Sequence, residues 1–314
     1  MKILVAGATG AIGRPLVAKL VERGHEVTGM TRSESKRDLI EGMGVKAVVA
    51  DALDPDAVAR AVAEAEPEVV INQLTSIGEG MDLRKPDRFF GQTNRLRTEG
   101  TDHLLSASQA AGVRRYIAQS FAPLIYQRTG SLVKTENDPV DSNPPEPMRQ
   151  TSESVRYLEQ AVTGAQGIEG IVLRYGGFYG PGTSMDLEPE GEQTRTIRKR
   201  QFPIVGSGGA VWSFVHVEDA AEATVVAVGW GEPGIYNIVD DTPAPVKDWL
   251  PKVAETIGAK PPRHFPKLLG RIFAGEVGVM MMTQLRGSSN EKARRELGWH
   301  PERPSIWEGL ASGR

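Results

Sequence analysis

The stretch MKILVAGATGAIG, residues 1–13, decides the fold of this chain. Residues 3–6 are too apolar for a surface strand, and the run after the stretch has the apolar spacing of a helix. Gly7, Gly10 and Gly13 therefore lie at a strand-to-helix turn, where a dinucleotide pyrophosphate binds. The first glycine permits the tight turn, the second admits the phosphates, and the third lets helix and strand pack closely. Backbone N–H groups and the positive end of the helix dipole would hold the anion, and an ordinary glycine-rich turn is the alternative.

The end of the second predicted strand, HEVTGMTR at residues 25–32, indicates which dinucleotide binds. A carboxylate at this place accepts hydrogen bonds from a free ribose 2′-hydroxyl, whereas a 2′-phosphate requires a cation. The chain offers Thr31, Arg32 and Ser33, followed by Lys36, and no acidic residue at the strand tip. We therefore predict NADP(H) in preference to NAD(H). A solvated basic face is the alternative interpretation of the two cations.

Further cofactor contacts are expected after the third and fourth strands. Asp51 is placed to accept a hydrogen bond from the adenine amino group, and Leu53 to pack against the ring. Asp54, which precedes a proline, is a candidate helix cap instead. The predicted cofactor-binding residues are Gly7, Thr9, Gly10, Ala11, Ile12, Gly13, Thr31, Arg32, Ser33, Asp51, Ala52, Leu74, Thr75 and Tyr175.

Composition excludes several classes of function. The chain has 314 residues, 39% of them hydrophobic, and a net charge of −3, which gives no general field for nucleic acid or a membrane surface. It has no cysteine, so disulfides, thiolate nucleophiles and cysteine-ligated metals are excluded. The five histidines lack metal-ligand spacing, and no metal site is expected. No apolar run reaches membrane-spanning length and no leader is recognisable, so we expect a cytoplasmic protein. A small-molecule substrate is expected from the cap and the cleft at the sheet edge described below.

Strands and helices alternate through the first two-thirds of the chain, which predicts an α/β fold with a doubly wound parallel sheet, the Rossmann arrangement. We expect a dinucleotide-binding domain at residues 1–175 plus 212–243. Residues 176–211 plus 244–314 are expected to form a smaller, mainly helical substrate-binding cap. Strands are predicted at residues 3–6, 27–31, 47–50, 69–74, 116–119, 171–174 and 235–239.

Seven segments in a fixed order resemble one family over essentially the whole chain. They are GATGAIG, DALD, EGTDHLLSASQAAGVRRYIAQS, LRYGGFYGPG, FVHVEDAAEA, GIYNIVDD and SSNEKARRELGW. The chain is similar to the extended short-chain dehydrogenases/reductases of the NAD-dependent epimerase/dehydratase group. The resemblance implies a Rossmann fold, a nicotinamide cofactor and an oxidoreductase activity.

The chain departs from that family at the residues that move a proton. In the family a Tyr-x-x-x-Lys pair, assisted by Ser or Thr, transfers the proton that accompanies hydride movement. None of the six tyrosines here is followed by lysine four residues later. With Glu159 as the anchor of the alignment, Thr151 stands at the position of the family's tyrosine and Val155 at that of its lysine. Counting back from Tyr126 puts Ala122 at the position of the Ser or Thr. Arg97 replaces the asparagine that supports the proton transfer.

Three residues are candidate replacements, and two of them, Tyr126 and Ser120, lie just beyond the fifth strand on the carboxyl side of the sheet. Tyr126 is the first candidate acid, with Ser120 beside it, and a structural tyrosine is the alternative. The Arg97 guanidinium is suited to stabilise an oxyanion or to hold a cofactor phosphate, with a surface arginine as the alternative. Lys134 is expected to be an exposed loop charge, with a relocated catalytic lysine as the alternative.

The predicted cap favours an apolar or aromatic ligand. Trp212 stands where relatives that bind nucleotide sugars carry a phosphate-binding arginine, and an aromatic ring cannot neutralise a phosphate. Phe273 and residues 280–282, which are methionines, suit an irregular apolar pocket, although such spacing is also typical of helix core. Three functions stay open: an NADP(H)-dependent oxidoreductase with a non-standard proton donor, a silent NADP(H) sensor, and a non-redox isomerase or lyase. The family resemblance implies a homodimer through the helices around residues 103–111 and 152–162.

Overall fold

The computed structural model describes residues 1–78, 80, 82–122 and 125–312, and its main sheet has seven parallel strands in the order β3-β2-β1-β4-β5-β7-β12. Within the described residues the strands are β1 (Lys2–Ala6), β2 (Glu26–Thr31), β3 (Lys46–Val49), β4 (Val69–Asn72), β5 (Arg115–Phe121), β6 (Val133–Lys134), β7 (Glu169–Tyr175), β8 (Gly177–Tyr179), β9 (Ile204–Val205), β10 (Val211–Trp212), β11 (Phe214–His216), β12 (Gly234–Ile238), β13 (Ala244–Pro245), β14 (His264–Phe265) and β15 (Gly287–Ser288).

Helices alternate with the sheet strands, which confirms the predicted Rossmann-like α/β fold. The α-helices are α1 (Gly13–Glu22), α2 (Arg37–Glu41), α3 (Pro55–Ala65), α4 (Pro86–Arg95), α5 (Thr101–Ala110), α6 (Arg149–Thr163), α7 (Glu192–Arg198), α8 (Val217–Gly229), α9 (Val246–Thr256), α10 (Lys267–Thr283) and α11 (Ile306–Ser312). A π-helical run, Leu96–Gly100, joins α4 to α5. None of the described helices is long and apolar enough to cross a membrane.

Both faces of the sheet are covered, as the continuous apolar strands require. In β1, Ile3 and Val5 pack into the cluster shared with α1 and α8, whereas Leu4 and Ala6 pack into the cluster shared with α3 and α5. The chain adds β2 and β3 on one side of β1 and then returns to add β4 on the other. This reversal opens a crevice at the carboxyl ends of β1 and β4, where ligands of doubly wound folds bind.

A second hydrophobic cluster occupies the part of the chain predicted as a cap. Trp249, Met280 and Met282 are buried in it, and Trp212 packs edgewise and tilted against its aromatic neighbours. The Trp212 indole N–H donates to the Met281 carbonyl at 2.7 Å. Met280 and Met282 are therefore part of the hydrophobic core, which was the alternative to an apolar ligand pocket. Phe273 is 68% exposed and does not belong to the core.

Gly13 limits how closely α1 can approach the turn after β1. A Cβ at this position would lie 2.2 Å from the Gly7 carbonyl oxygen and 2.7 Å from that of Ala8. Both contacts are with backbone, so helix and turn would have to separate. We expect Gly13→Ala to lower the free energy of unfolding by about 1–3 kcal/mol, measured by urea denaturation. The control is Gly91→Ala in α4, where a Cβ meets no atom within 4 Å; equal losses in both variants would contradict the packing explanation.

Candidate active site

The turn after β1 has the geometry of an anion cradle. Gly7 has a φ of +90°, and a Cβ there would lie 2.8 Å from the Gln73 carbonyl oxygen at the end of β4. Among the described residues, the N–H groups of Ala11 and Ile12 meet no acceptor, and α1 begins directly after them. Free N–H groups at a helix N-terminus suit a pyrophosphate, so the residues present fit a dinucleotide.

The end of β2 carries an unpaired cation. Thr31 is buried, and Arg32 beyond it is exposed and forms no ion pair with any described residue. Lys36 is likewise exposed. The first acidic residue after the strand, Glu34, accepts a hydrogen bond from Arg37 at 2.5 Å and is thereby occupied. Where a ribose would lie, the chain therefore presents a cation and no free carboxylate.

The other predicted cofactor residues lie along the same edge of the sheet. Asp51 is exposed and its carboxylate accepts the Leu53 N–H at 3.0 Å, while Ala52 is buried. Asp54 caps α3 by accepting two backbone N–H groups, as its alternative role requires. Ser33, Leu74 and Thr75 keep accessible surface at the ends of β2 and β4.

Tyr175 lies beneath the crevice, and its hydroxyl forms hydrogen bonds only with protein groups among the described residues. Its ring is buried, and its hydroxyl accepts from the Gln73 side-chain amide at 3.2 Å. The Thr224 hydroxyl donates to the Ala220 carbonyl, so the Tyr175 hydroxyl donates its own proton to Thr224 at 2.6 Å. Burial raises the pKa of Tyr175 to about 12. This tyrosine supports the floor of the crevice.

The positions aligned with the family's proton machinery hold no acid. The Thr151 hydroxyl donates to Asp87 at 2.6 Å and accepts from the Asn94 side-chain amide at 3.2 Å. Val155 packs against Ile125 and Tyr126 in a small apolar cluster. Ala122 is buried at the end of β5. Thr151 is an alcohol in a closed set of hydrogen bonds, and the other two side chains are apolar.

A buried network joins Ser120 to the middle of α6 and to β7. The Glu159 carboxylate accepts from the Arg174 guanidinium at 2.7 and 2.6 Å, and from the Ser120 hydroxyl at 2.6 Å. All three side chains are buried. Bidentate pairing of this kind satisfies both charges away from water. Sequence reasoning used Glu159 only as an alignment anchor and missed this pair.

Tyr126 extends the network towards β12. Its hydroxyl accepts from Arg174 at 2.9 Å and donates to the Asn237 side-chain oxygen at 2.7 Å. Burial raises the pKa of Tyr126 to about 12 against the effect of the neighbouring guanidinium. Both Tyr126 and Ser120 thus direct their protons at protein acceptors, an arrangement that suits a structural role. Their catalytic roles stay predictions.

Arg97 lies in the π-helical run and is 7% exposed, so the alternative of a surface arginine is wrong. Its guanidinium donates one long hydrogen bond, 3.4 Å, to the Asn94 side-chain oxygen. Burial lowers the pKa of Arg97 to about 10, which leaves it charged at neutral pH. Lys134 is also buried, bound to Asp138 at 3.1 Å, so the expectation of an exposed loop charge is corrected.

Comparison with known proteins identifies relatives that match the chain end to end. The chain is 42% identical over 311 residues to a 3-diazoavenalumate denitrifying reductase of a Streptomyces species, covering 99% of both chains. It is 27% identical to a 2-alkyl-3-oxoalkanoate reductase of Stenotrophomonas maltophilia, covering 99% and 97% of the two chains. These similarities support an oxidoreductase in general.

The fold comparison agrees. The chain superposes on the Thermus thermophilus UDP-glucose 4-epimerase, solved in complex with NAD, with a TM-score of 0.73 and 26% identity, covering 99% and 97% of the two chains. A nicotinamide cofactor is supported by that likeness and by the glycine cradle. Residues 3–239 match the model of the NAD dependent epimerase/dehydratase family. The chain therefore belongs to the NAD-dependent epimerase/dehydratase family.

Proposed function

We propose that the chain is an NADPH-dependent reductase that replaces the diazo group of an aromatic compound by hydrogen, with release of dinitrogen. One observation carries the proposal: the site combines a dinucleotide cradle with aligned positions that hold no free acid. Val155 and Ala122 have no proton to donate, and the hydroxyls of Thr151, Tyr126 and Ser120 are committed to protein acceptors. The activity named for the relative that is 42% identical points to the same chemistry.

The proton balance separates this reaction from carbonyl reduction. When bound, the reduced nicotinamide supplies a hydride, that is, one hydrogen nucleus with two electrons. A carbonyl that accepts a hydride becomes an alkoxide and then requires a proton from a positioned acid. An aryl diazonium cation that accepts a hydride at the ring carbon bonded to nitrogen forms a C–H bond there, and its C–N bond breaks with the electron pair leaving on N₂. Atoms and charge balance without an added proton.

The tasks left to the protein are binding and alignment. The glycine turn would hold the pyrophosphate, and Arg32 would bind the ribose 2′-phosphate, since no free carboxylate competes for that place. The network of Glu159, Arg174 and Tyr126 fixes α6 and the chain after β5 against the sheet.

Arg32→Asp tests the cofactor. A carboxylate repels the 2′-phosphate and accepts hydrogen bonds from a free 2′-hydroxyl, so the ratio of NADPH to NADH affinity should fall by about tenfold or more. Binding is measured by cofactor fluorescence titration. Arg60→Asp, which makes the same charge change at an exposed position of α3, should leave the ratio unchanged. An unchanged ratio in Arg32→Asp would remove the basis for NADPH.

Isotope labelling tests the reaction itself. With 4-carboxybenzenediazonium and NADPH deuterated at both C4 positions, we expect benzoate with one deuterium at the former C–N carbon. With unlabelled NADPH in D₂O, we expect no deuterium there, because no solvent proton enters the product. Products are analysed by mass spectrometry beside a reaction without enzyme. Deuterium taken from D₂O, or reduction of ketones but not of the diazonium, would rule out the proposed chemistry.

Tyr126→Phe distinguishes a structural tyrosine from a relocated acid. Loss of the hydroxyl leaves Arg174 and Asn237 short of a partner, and we expect the free energy of unfolding to fall by about 1–3 kcal/mol. Reductase turnover per folded molecule should change less than about threefold if Tyr126 is structural. Loss of a general acid would lower turnover about a hundredfold or more. A collapse of kcat with unchanged stability would instead make Tyr126 the acid.

A further inference from the structure

Arg97 is a buried cation without a counter-ion. It forms no ion pair with any described residue, and its one hydrogen bond, to Asn94, is long at 3.4 Å. A guanidinium has five N–H donors, so most of its capacity to donate is unused. Burying a charge without a counter-ion lowers the stability of the folded protein. A ligand of opposite charge would remove that cost, so such a position indicates a binding site.

The acceptors around Arg97 are already occupied. The Asn94 oxygen also accepts the Ser154 hydroxyl at 3.0 Å. The charge of Glu159 raises the pKa of Arg97, but both Glu159 oxygens already accept hydrogen bonds from Arg174 or Ser120. Because the charge of Arg174 already balances that of Glu159, the positive charge of Arg97 remains in excess.

The guanidinium is located at the predicted centre of the reaction. Asn94, its partner, is bonded to Thr151, which occupies the aligned position of the family's tyrosine. The π-helical run that carries Arg97 starts from α4 and leads into Thr101, which accepts a hydrogen bond from Asn72 at the end of β4. The described residues do not fully enclose the Arg97 nitrogens that lack a partner. These N–H groups therefore retain access to solvent.

We propose that Arg97 determines substrate specificity by binding an oxyanion of the substrate, a carboxylate above all. The inference rests on the proposed function only in taking the ligand to be the substrate. A carboxylate matches the planar guanidinium in shape and supplies the missing charge. The phosphates of the cofactor are the other source of an oxyanion, and the experiment below separates the two.

The test measures binding without turnover, so that it stands even where diazonium reduction fails. 2-Naphthoate and 2-naphthamide have nearly the same shape and apolar area and differ in charge. Both are titrated calorimetrically into the protein saturated with NADP⁺. We expect the wild type to bind the acid roughly tenfold more tightly than the amide, as a charge-assisted hydrogen bond predicts. Arg97→Met should abolish that preference, and Arg97→Lys should keep part of it.

Two controls exclude indirect effects. Arg60→Met removes an exposed cation from α3 and should keep the preference of the wild type. Thermal unfolding without ligand should show Arg97→Met at least as stable as the wild type, because a buried unpaired charge has been removed. A structural arginine would instead lower the midpoint when replaced.

Three results would overturn the proposal. The first is equal affinity of the wild type for acid and amide, including failure to bind either. The second is a preference that survives in Arg97→Met. The third assigns Arg97 to the cofactor: Arg97→Met would weaken NADPH roughly tenfold while the affinity for adenosine 2′,5′-bisphosphate, which lacks the pyrophosphate, stays unchanged.

Discussion

The buried ion pair between Glu159 and Arg174 is the interaction on which the site depends. It ties the middle of α6 to β7, and through Ser120 and Tyr126 it reaches β5 and the chain that follows. Neither charge tolerates burial alone, since removal of one partner of such a pair is expected to cost about 3–5 kcal/mol. The position of α6, and with it that of Thr151 at its start, is therefore fixed by electrostatics as much as by apolar packing.

Two arginines in one site have opposite environments. Arg174 has both its charge and its donors satisfied, and it belongs to the frame that holds the site together. Arg97 has neither. Burial acts on the pKa of both in the same sense, against the charged form, but only Arg174 is hydrogen-bonded to Glu159. A protein that leaves one cation unmatched beside a well-matched pair retains a local charge that a ligand can complete.

The sequence predicted the sheet and the glycine turn because short-range rules determine both. Period and apolarity define the strands, and Gly7 and Gly13 meet a steric requirement that nothing larger can satisfy. Burial of Arg97 and Lys134 escaped prediction, because their surroundings come from segments distant in sequence. The same holds for the Tyr126 hydroxyl, whose acceptor Asn237 lies 111 residues away. Residue identity shows which groups can titrate, whereas tertiary contacts decide where their protons are directed.

Conservation of a binding cradle within a fold does not fix the reaction performed beside it. Carbonyl reduction requires both a hydride and a proton, so an active site must align both a cofactor and an acid. In the proposed reaction the acceptor is a cation that loses N₂, so the second requirement would disappear, and Thr151 and Val155 would serve hydrogen bonding and packing alone. The constraint that replaces it is orientation of the substrate. The charge of Arg97 would meet that constraint in the proposed site, because an anionic group held at one end of a planar molecule sets the direction of the other end.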